Sequence, residues 1–123
     1  MELIYKKESY DIIGCCMEVH KNLGKGFNEL VYGDALELEF NSKKISYERE
    51  KHFEIKYKNY ILKHHYKADF VIYDKIILEI KAIEGLTNSN IKQTLNYLAS
   101  SQMKLGILVN FGEDSLKYKR IVL

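Results

Sequence analysis

The chain has 123 residues, 46% of them hydrophobic and 29% charged, with a formal net charge of only +2. That size and balance fit one domain spanning residues 1–123, with an apolar core that needs no disulfide or metal staple. So small a net charge excludes a uniformly basic surface, so any affinity for a polyanion has to come from local clustering.

The two cysteines, Cys15 and Cys16, are adjacent and have no third partner. They read as small helix residues, one of them buried, in a reduced, cytoplasmic protein. The opening MELIYKKESYD lacks the apolar run of a signal peptide, and no stretch approaches the roughly 20 apolar residues of a membrane helix. There is no proline, repeat or low-complexity tract to mark a linker.

From Ser9 to Leu23, Ile12, Cys16, Val19 and Leu23 recur at helical spacing, and Gly24 and Gly26 end the helix. A second helix starts after Asn28, a good N-cap, and runs to about Asn41. Leu30, Ala35, Leu36, Leu38 and Phe40 would supply its apolar surface. Residues 45–50, 53–57 and 60–72 then read as strands, with a turn at Lys58-Asn59. Ile76–Ile80 is a short apolar run, expected as a central strand buried on both faces. Helical periodicity returns from Asn88 to Ser101 through Ile91, Leu95 and Leu98. Residues 105–111 suggest another buried strand, and 117–122 an edge strand. Helix, helix, strands, helix, strand, strand is an α+β or mixed α/β order, with helices covering a sheet.

The strongest chemical signal is HYKADFVIYDKIILEIKA, residues 65–82. Two apolar strands flank a polar break at Tyr73-Asp74-Lys75. A three-residue loop there sets Ile72 against Ile76, Phe70 against Leu78, Asp69 against Glu79 and Lys67 against Lys81. Opposed Cβ atoms lie about 5 Å apart, close enough for two carboxylates to share one cation. Lys81 follows on the same face, roughly 7 Å beyond Glu79. A two-residue loop would instead put the two acids on opposite faces. Carboxylates inside apolar strands are costly to bury uncompensated. Hard oxygen ligands suit Mg²⁺ or Mn²⁺, which supply a nucleophilic water and stabilise charge on phosphorus. The alternative from spacing alone is a salt bridge from Asp69 or Glu79 to Lys81 or Lys67.

These residues resemble a known signature. Ala-Asp69-Phe-Val-Ile followed by Leu-Glu79-Ile-Lys81 is similar to the motif of PD-(D/E)XK nucleases. Gly26-Phe27-Asn28-Glu29-Leu30-Val31-Tyr32 resembles the namesake motif of the GxxExxY family. The likeness continues through IIGCCMEVHKNLGKGF, YKADFVI, ILEIKAIEGL, QTLNYL, LGILVNFG and LKYKRIVL, nearly the whole chain in one order. It implies a restriction-endonuclease-like core, a mixed central β-sheet with flanking helices. It further implies that Asp69, Glu79 and Glu29 hold the metal and that Lys81 is the catalytic lysine. Gln93 and Tyr97 resemble a Q-x-x-x-Y pair beside the active site. They are four apart and so share a helix face. Gln93 joins the catalytic set, while Tyr97 and the motif's Tyr32 join Lys67 as substrate contacts. Ala68 stands where related motifs carry proline, and Thr87-Asn88-Ser89 lacks an expected proline.

Lys51, Lys56, Lys58, Lys63, His64, His65 and Lys67 form a basic stretch with Tyr57, Tyr60 and Tyr66 interleaved. It reads either as phosphate and base contacts or as a solvated strand face. Lys67 is the preferred contact, since strand alternation puts it on the face of Asp69. His20 reads as a packing or helix-surface residue. The functional expectation is a Mg²⁺- or Mn²⁺-dependent nuclease acting on DNA. The alternatives are a binding or accessory module of the same fold and, third, a hydrolase of other phosphoesters. Cutting both strands of a duplex requires a homodimer or two successive events.

Overall fold

A computed structural model describes residues 3–123. Helix α1 spans Lys6–Leu23 and buries Ile12, Cys15, Cys16 and Val19. Both cysteines are therefore in the core, where one was expected. The helix stops at Gly24, which adopts φ +67 and donates its N–H to His20 O at 2.8 Å. Helix α2 spans Glu29–Ser42, with the Asn28 side chain accepting from Val31 N at 3.2 Å. Its buried seam is Tyr32, Leu36 and Phe40, one residue per turn. Leu30 and Leu38, read as apolar surface for the core, lie off that seam and are exposed.

Five strands follow in the spatial order β1-β2-β3-β4-β5: β1 Tyr47–Tyr57, β2 Tyr60–Ile72, β3 Ile76–Lys81, β4 Leu105–Asn110 and β5 Lys117–Val122. Helix α3, Asn88–Ser101, makes the crossover between β3 and β4, which pair in parallel. The other neighbours pair antiparallel, so the sheet is mixed. The segments 45–50 and 53–57, read as two strands, form one. Helices α1 and α2 cover one face through a core containing Phe70, Ile72, Ile76, Leu78, Ile107 and Val109. On the other face, Ala68, Val71, Ile77 and Leu108 pack with Leu98 of α3. Each of these large side chains contributes about 1.5–3 kcal/mol by leaving water, which is why two-sided apolar runs mark the central strands. No helix among the described residues is long and apolar enough to cross a membrane.

The β2–β3 turn has the expected odd length. Ile72 pairs with Ile76 and Phe70 with Leu78, and Lys75 N donates to Ile72 O at 3.1 Å. Tyr73 and Asp74 both take φ of +57, the left-handed pair that a tight hairpin turn requires. Lys75 then docks the turn on α1, 2.9 Å from Glu8.

Farther from that turn, β1 and β2 change faces. Tyr47 of β1 packs in the first core, yet Phe53, of the same parity, packs in the second. On β2, Phe70 lies in the first core and Ala68 in the second. The switch falls where Glu50 (φ +56) and Asp69 drop out of the register, which resumes at Lys51–Ala68 and shifts once more between Glu54 and Lys56. This overturns the placement of Lys67. Strand alternation does not carry through Asp69, so Lys67 points away from Tyr66 and Ala68, on the face that α3 leaves bare. It is exposed and pairs with His52, not with Lys81.

Candidate active site

The registered β2–β3 ladder ends at Phe70–Leu78, while β3 runs on to Lys81. The strands fork there, and Asp69 fills the fork. Its Oδ2 accepts from Ile80 N at 2.7 Å, standing in for a ladder carbonyl. That bond holds the carboxylate close to the sheet plane and beside the next side chain along β3, Glu79.

Glu79 is the chemical anomaly of the molecule. It is 4% exposed, and its Oε1 finds no hydrogen-bond partner among the described residues. Leaving a buried carboxyl oxygen unpaired costs about 1–3 kcal/mol or more. Burial first, and then the neighbouring Asp69 carboxylate, push the Glu79 carboxyl up to about 10, against a weaker opposing pull from Lys81. Two acids crowd the fork, and Lys81 offsets only part of their repulsion.

The rest of the cluster arrives from both sides of the sheet. Lys81 extends from the end of β3 and donates from Nζ to Gln93 Oε1 of α3 at 3.2 Å. Tyr97, one turn along α3, packs edge-on against Tyr66 with centroids 5.1 Å apart. Its phenol is pushed up to about 12 by burial and then by the Glu79 and Asp69 charges. From the opposite side comes Glu29, the first residue of α2. Partial desolvation holds its carboxyl above the usual range, Lys81 opposes this, Asp69 reinforces it, and Ala82 N–H opposes it again. A cleft of about 390 Å³ opens here, lined by Glu29, Arg49, Glu50, Asp69, Ile80 and Ala82.

The structure thus gathers Glu29, Asp69, Glu79, Lys81, Gln93 and Tyr97. It does not gather Tyr32. That ring is fully buried, stacks on Phe111 at 4.4 Å and donates its hydroxyl to Gly24 O at 2.6 Å, while accepting from Phe27 N. Tyr32 pins the loop before α2 and is not available to a substrate, contrary to the expectation. His20 packs, as expected, with a ring nitrogen 2.9 Å from Glu113 O.

Two residues escaped the sequence reading. Glu50 enters the cleft only because β1 changes faces, and nothing in its local pattern announces that. Asn110, fully buried at the end of β4, brackets the loop after Lys81. Its Oδ1 accepts from Ile83 N at 3.0 Å and from Gly112 N at 3.1 Å. Its Nδ2 donates to Ile83 O and to Glu113 Oε2, each at 2.9 Å. A lone amide closing the apolar run LGILVN was the available signal.

Among the described residues, no three His, Cys, Asp or Glu side chains converge as a ready-made metal cage. The donor set nevertheless fits a small hard cation. Mg²⁺ and Mn²⁺ commonly take one or two carboxylates and complete their shell with water and substrate phosphate. The unpartnered Glu79 oxygen beside Asp69 is the observation that fits such an ion.

Comparison with known proteins agrees with this geometry. The profile of the PD-(D/E)XK nuclease superfamily matches residues 6–121, nearly the whole chain. The chain belongs to the PD-(D/E)XK nuclease superfamily. Membership makes it nuclease-like, with nucleic acid as the implied substrate class, and nucleases of this superfamily generally use divalent metals. No curated protein sequence matches the chain. The crystal structure of SSO0001 is 19% identical, with a TM-score of 0.52, over 98% of this chain and 80% of that one. It supports the restriction-endonuclease-like fold. An alkaline exonuclease (LHK-Exo) from Laribacter hongkongensis aligns at 12% identity and a TM-score of 0.45, over 99% of this chain and 72% of that one.

Proposed function

We propose that this chain is a Mg²⁺- or Mn²⁺-dependent phosphodiesterase acting on DNA. On this reading it belongs to the GxxExxY branch, folds as one domain over residues 1–123 and works in the cytoplasm. The observation that carries the proposal is the buried, unpartnered Glu79 oxygen beside Asp69. Deprotonating Glu79 and sharing one divalent cation between its carboxylate and that of Asp69 would resolve that frustration, and the cation would supply a nucleophilic water and neutralise charge on phosphorus.

The chain's own residues do the rest. Asp69 is held ready by Ile80 N–H, so little reorganisation is needed to bind. Lys81, steadied by Gln93, sets a fixed positive charge where the phosphate oxygens gain negative charge. Glu29, across the fork, accepts hydrogen bonds from water at the cleft side. Tyr97 offers a hydroxyl and a ring edge to the substrate strand. Lys67 lies outside this cluster, and Tyr32 takes no part.

A cleavage assay on linear and supercoiled DNA tests the reading. Cutting is expected only with Mg²⁺ or Mn²⁺, and Asp69→Ala and Lys81→Ala should each lower it by about 10²-fold or more. Metal-independent cutting, or full activity in either variant, would refute it. One observation favours a second reading, an accessory module that binds without cutting: no third acid closes on the Asp69–Glu79 pair among the described residues. DNA binding without cleavage of any DNA form would select that module. A homodimer is the arrangement by which so small a domain would cut both strands at once.

A further inference from the structure

We infer that the projecting β1–β2 hairpin is a nucleic-acid arm: its lysines hold the phosphates of a strand leaving the cleft, and the tyrosines at its tip stack on unpaired bases. The substrate class rests on the nuclease reading above, whereas the binding surface does not.

Three independent observations place this function on the arm. The first is charge. Residues 51–67 carry five lysines and three histidines against the single acid Glu54. With histidines neutral, that segment is net +4 in a chain whose total is +2, so the remainder is net negative. A polyanion approaching the molecule is therefore drawn to the arm.

The second is exposure without a structural cause. Beyond the Asp69 switch, β1 and β2 pair mainly with each other, and from Tyr60 to His65 every residue of β2 is exposed. Tyr57 and Tyr60, directly paired across the tip, are 58% and 72% exposed, and Ile61 is 59% exposed. Aromatic rings held in water beside lysines add little to the fold beyond their cross-strand pairing, about 0.2–1 kcal/mol. They suit base stacking, worth about 1–3 kcal/mol per base. Lys58 already lies over the Tyr57 ring at 5.4 Å, so cation and ring form one unit at the tip.

The third is continuity with the cleft. Glu50 and Asp69, which line it, occupy the switch itself, and the next registered pairs outward are Lys51 with Ala68 and His52 with Lys67. The His52 and His65 rings lie 5.1 Å apart on the face that α3 does not cover. His52, His65 and Lys67 thus form a basic step from the cleft onto the arm. Lys67 regains a role here, as a phosphate contact outside the acid cluster.

Fluorescence anisotropy with a labelled 30-nucleotide single strand and the matching duplex, in EDTA, tests the inference without calling on catalysis. The triple variant Lys56→Glu/Lys58→Glu/Lys63→Glu should weaken binding of the single strand at least tenfold. It should also flatten the dependence of log affinity on log salt by about two. Tyr57→Ala/Tyr60→Ala should weaken the single strand more than the duplex. All five positions are exposed, so unchanged thermal melting is expected and serves as the folding control. Undiminished affinity in the triple variant would overturn the arm and point to a protein partner for the apolar tip. Equal loss on single strand and duplex in the tyrosine variant would overturn base stacking. If wild type cuts nothing with any metal and the triple variant still loses binding, the nuclease reading fails and the arm stands.

Discussion

At the scale of single residues, Glu79 decides what the site can be. Its carboxyl is raised from about 4.5 to about 10, so the folded state holds a proton that the unfolded chain releases. The stability this lends is complete below about pH 4.5 and drains away as pH rises towards 10. In metal-free protein, Glu79→Gln, which keeps the shape and removes the ionisation, should therefore raise stability at pH 8 by about 1–3 kcal/mol and have little effect near pH 4.5. Thermal melts at the two pH values check this, and equal effects at both would show that Glu79 is not held protonated. Tyr32 makes the opposite kind of case. Its hydroxyl closes the Gly24–Phe27 loop. Tyr32→Phe should cost about 1–2 kcal/mol in denaturant unfolding and leave DNA affinity unchanged.

At the scale of elements, the site exists because strands end or turn at the right places. Asp69 is useful because β2 parts from β3 there, and Asn110 fixes the loop that follows Lys81. The same loop packs on Gly112. A Cβ at that position would come within 2.2 Å of Ile83 O and 2.4 Å of Ile83 N. Backbone atoms cannot yield as a side-chain tip can. Gly112→Ala should therefore cost about 3 kcal/mol in denaturant unfolding and displace Ala82, whose N–H faces Glu29. A near-neutral result would mean that this loop is freer than its packing implies. Element boundaries were largely legible in the residues themselves. Asn28 announces its helix by capping, and its Oδ1 accepts from Val31 N; the cap of α3, Thr87 Oγ1 accepting from Asn90 N, is visible only in the structure. The odd β2–β3 loop set the register legibly as far as Phe70–Leu78, but Asp69 and Glu79, expected as the next opposed pair, meet instead in the fork beyond it, where Asp69 bonds Ile80 N. Period-two alternation failed for Lys67 since the strand changes faces at Asp69, and no local pattern encodes that turn. Tyr32 misled for another reason. A motif position shows that a residue matters, but not whether it serves packing or substrate, and only its burial against Phe111 separates the two.

At the scale of the whole molecule, the two faces of the sheet divide the labour. Helix α2 delivers Glu29, α3 delivers Gln93 and Tyr97, and the fork between β2 and β3 delivers Asp69, Glu79 and Lys81. No single element carries the cluster, so its assembly reports correct folding of the entire sheet. The excess of positive charge on the β1–β2 hairpin, against a net-negative remainder, gives the molecule a direction of approach for a polyanion. The central claim is narrower: the acid pair in the fork is a place for one cation. Crystals soaked in Mn²⁺ test it most directly. The account predicts a single anomalous peak within about 2.0–2.3 Å of carboxylate oxygens from both Asp69 and Glu79, absent from Asp69→Ala crystals. No peak in the fork, or one that touches neither Glu79 nor Asp69, would contradict it.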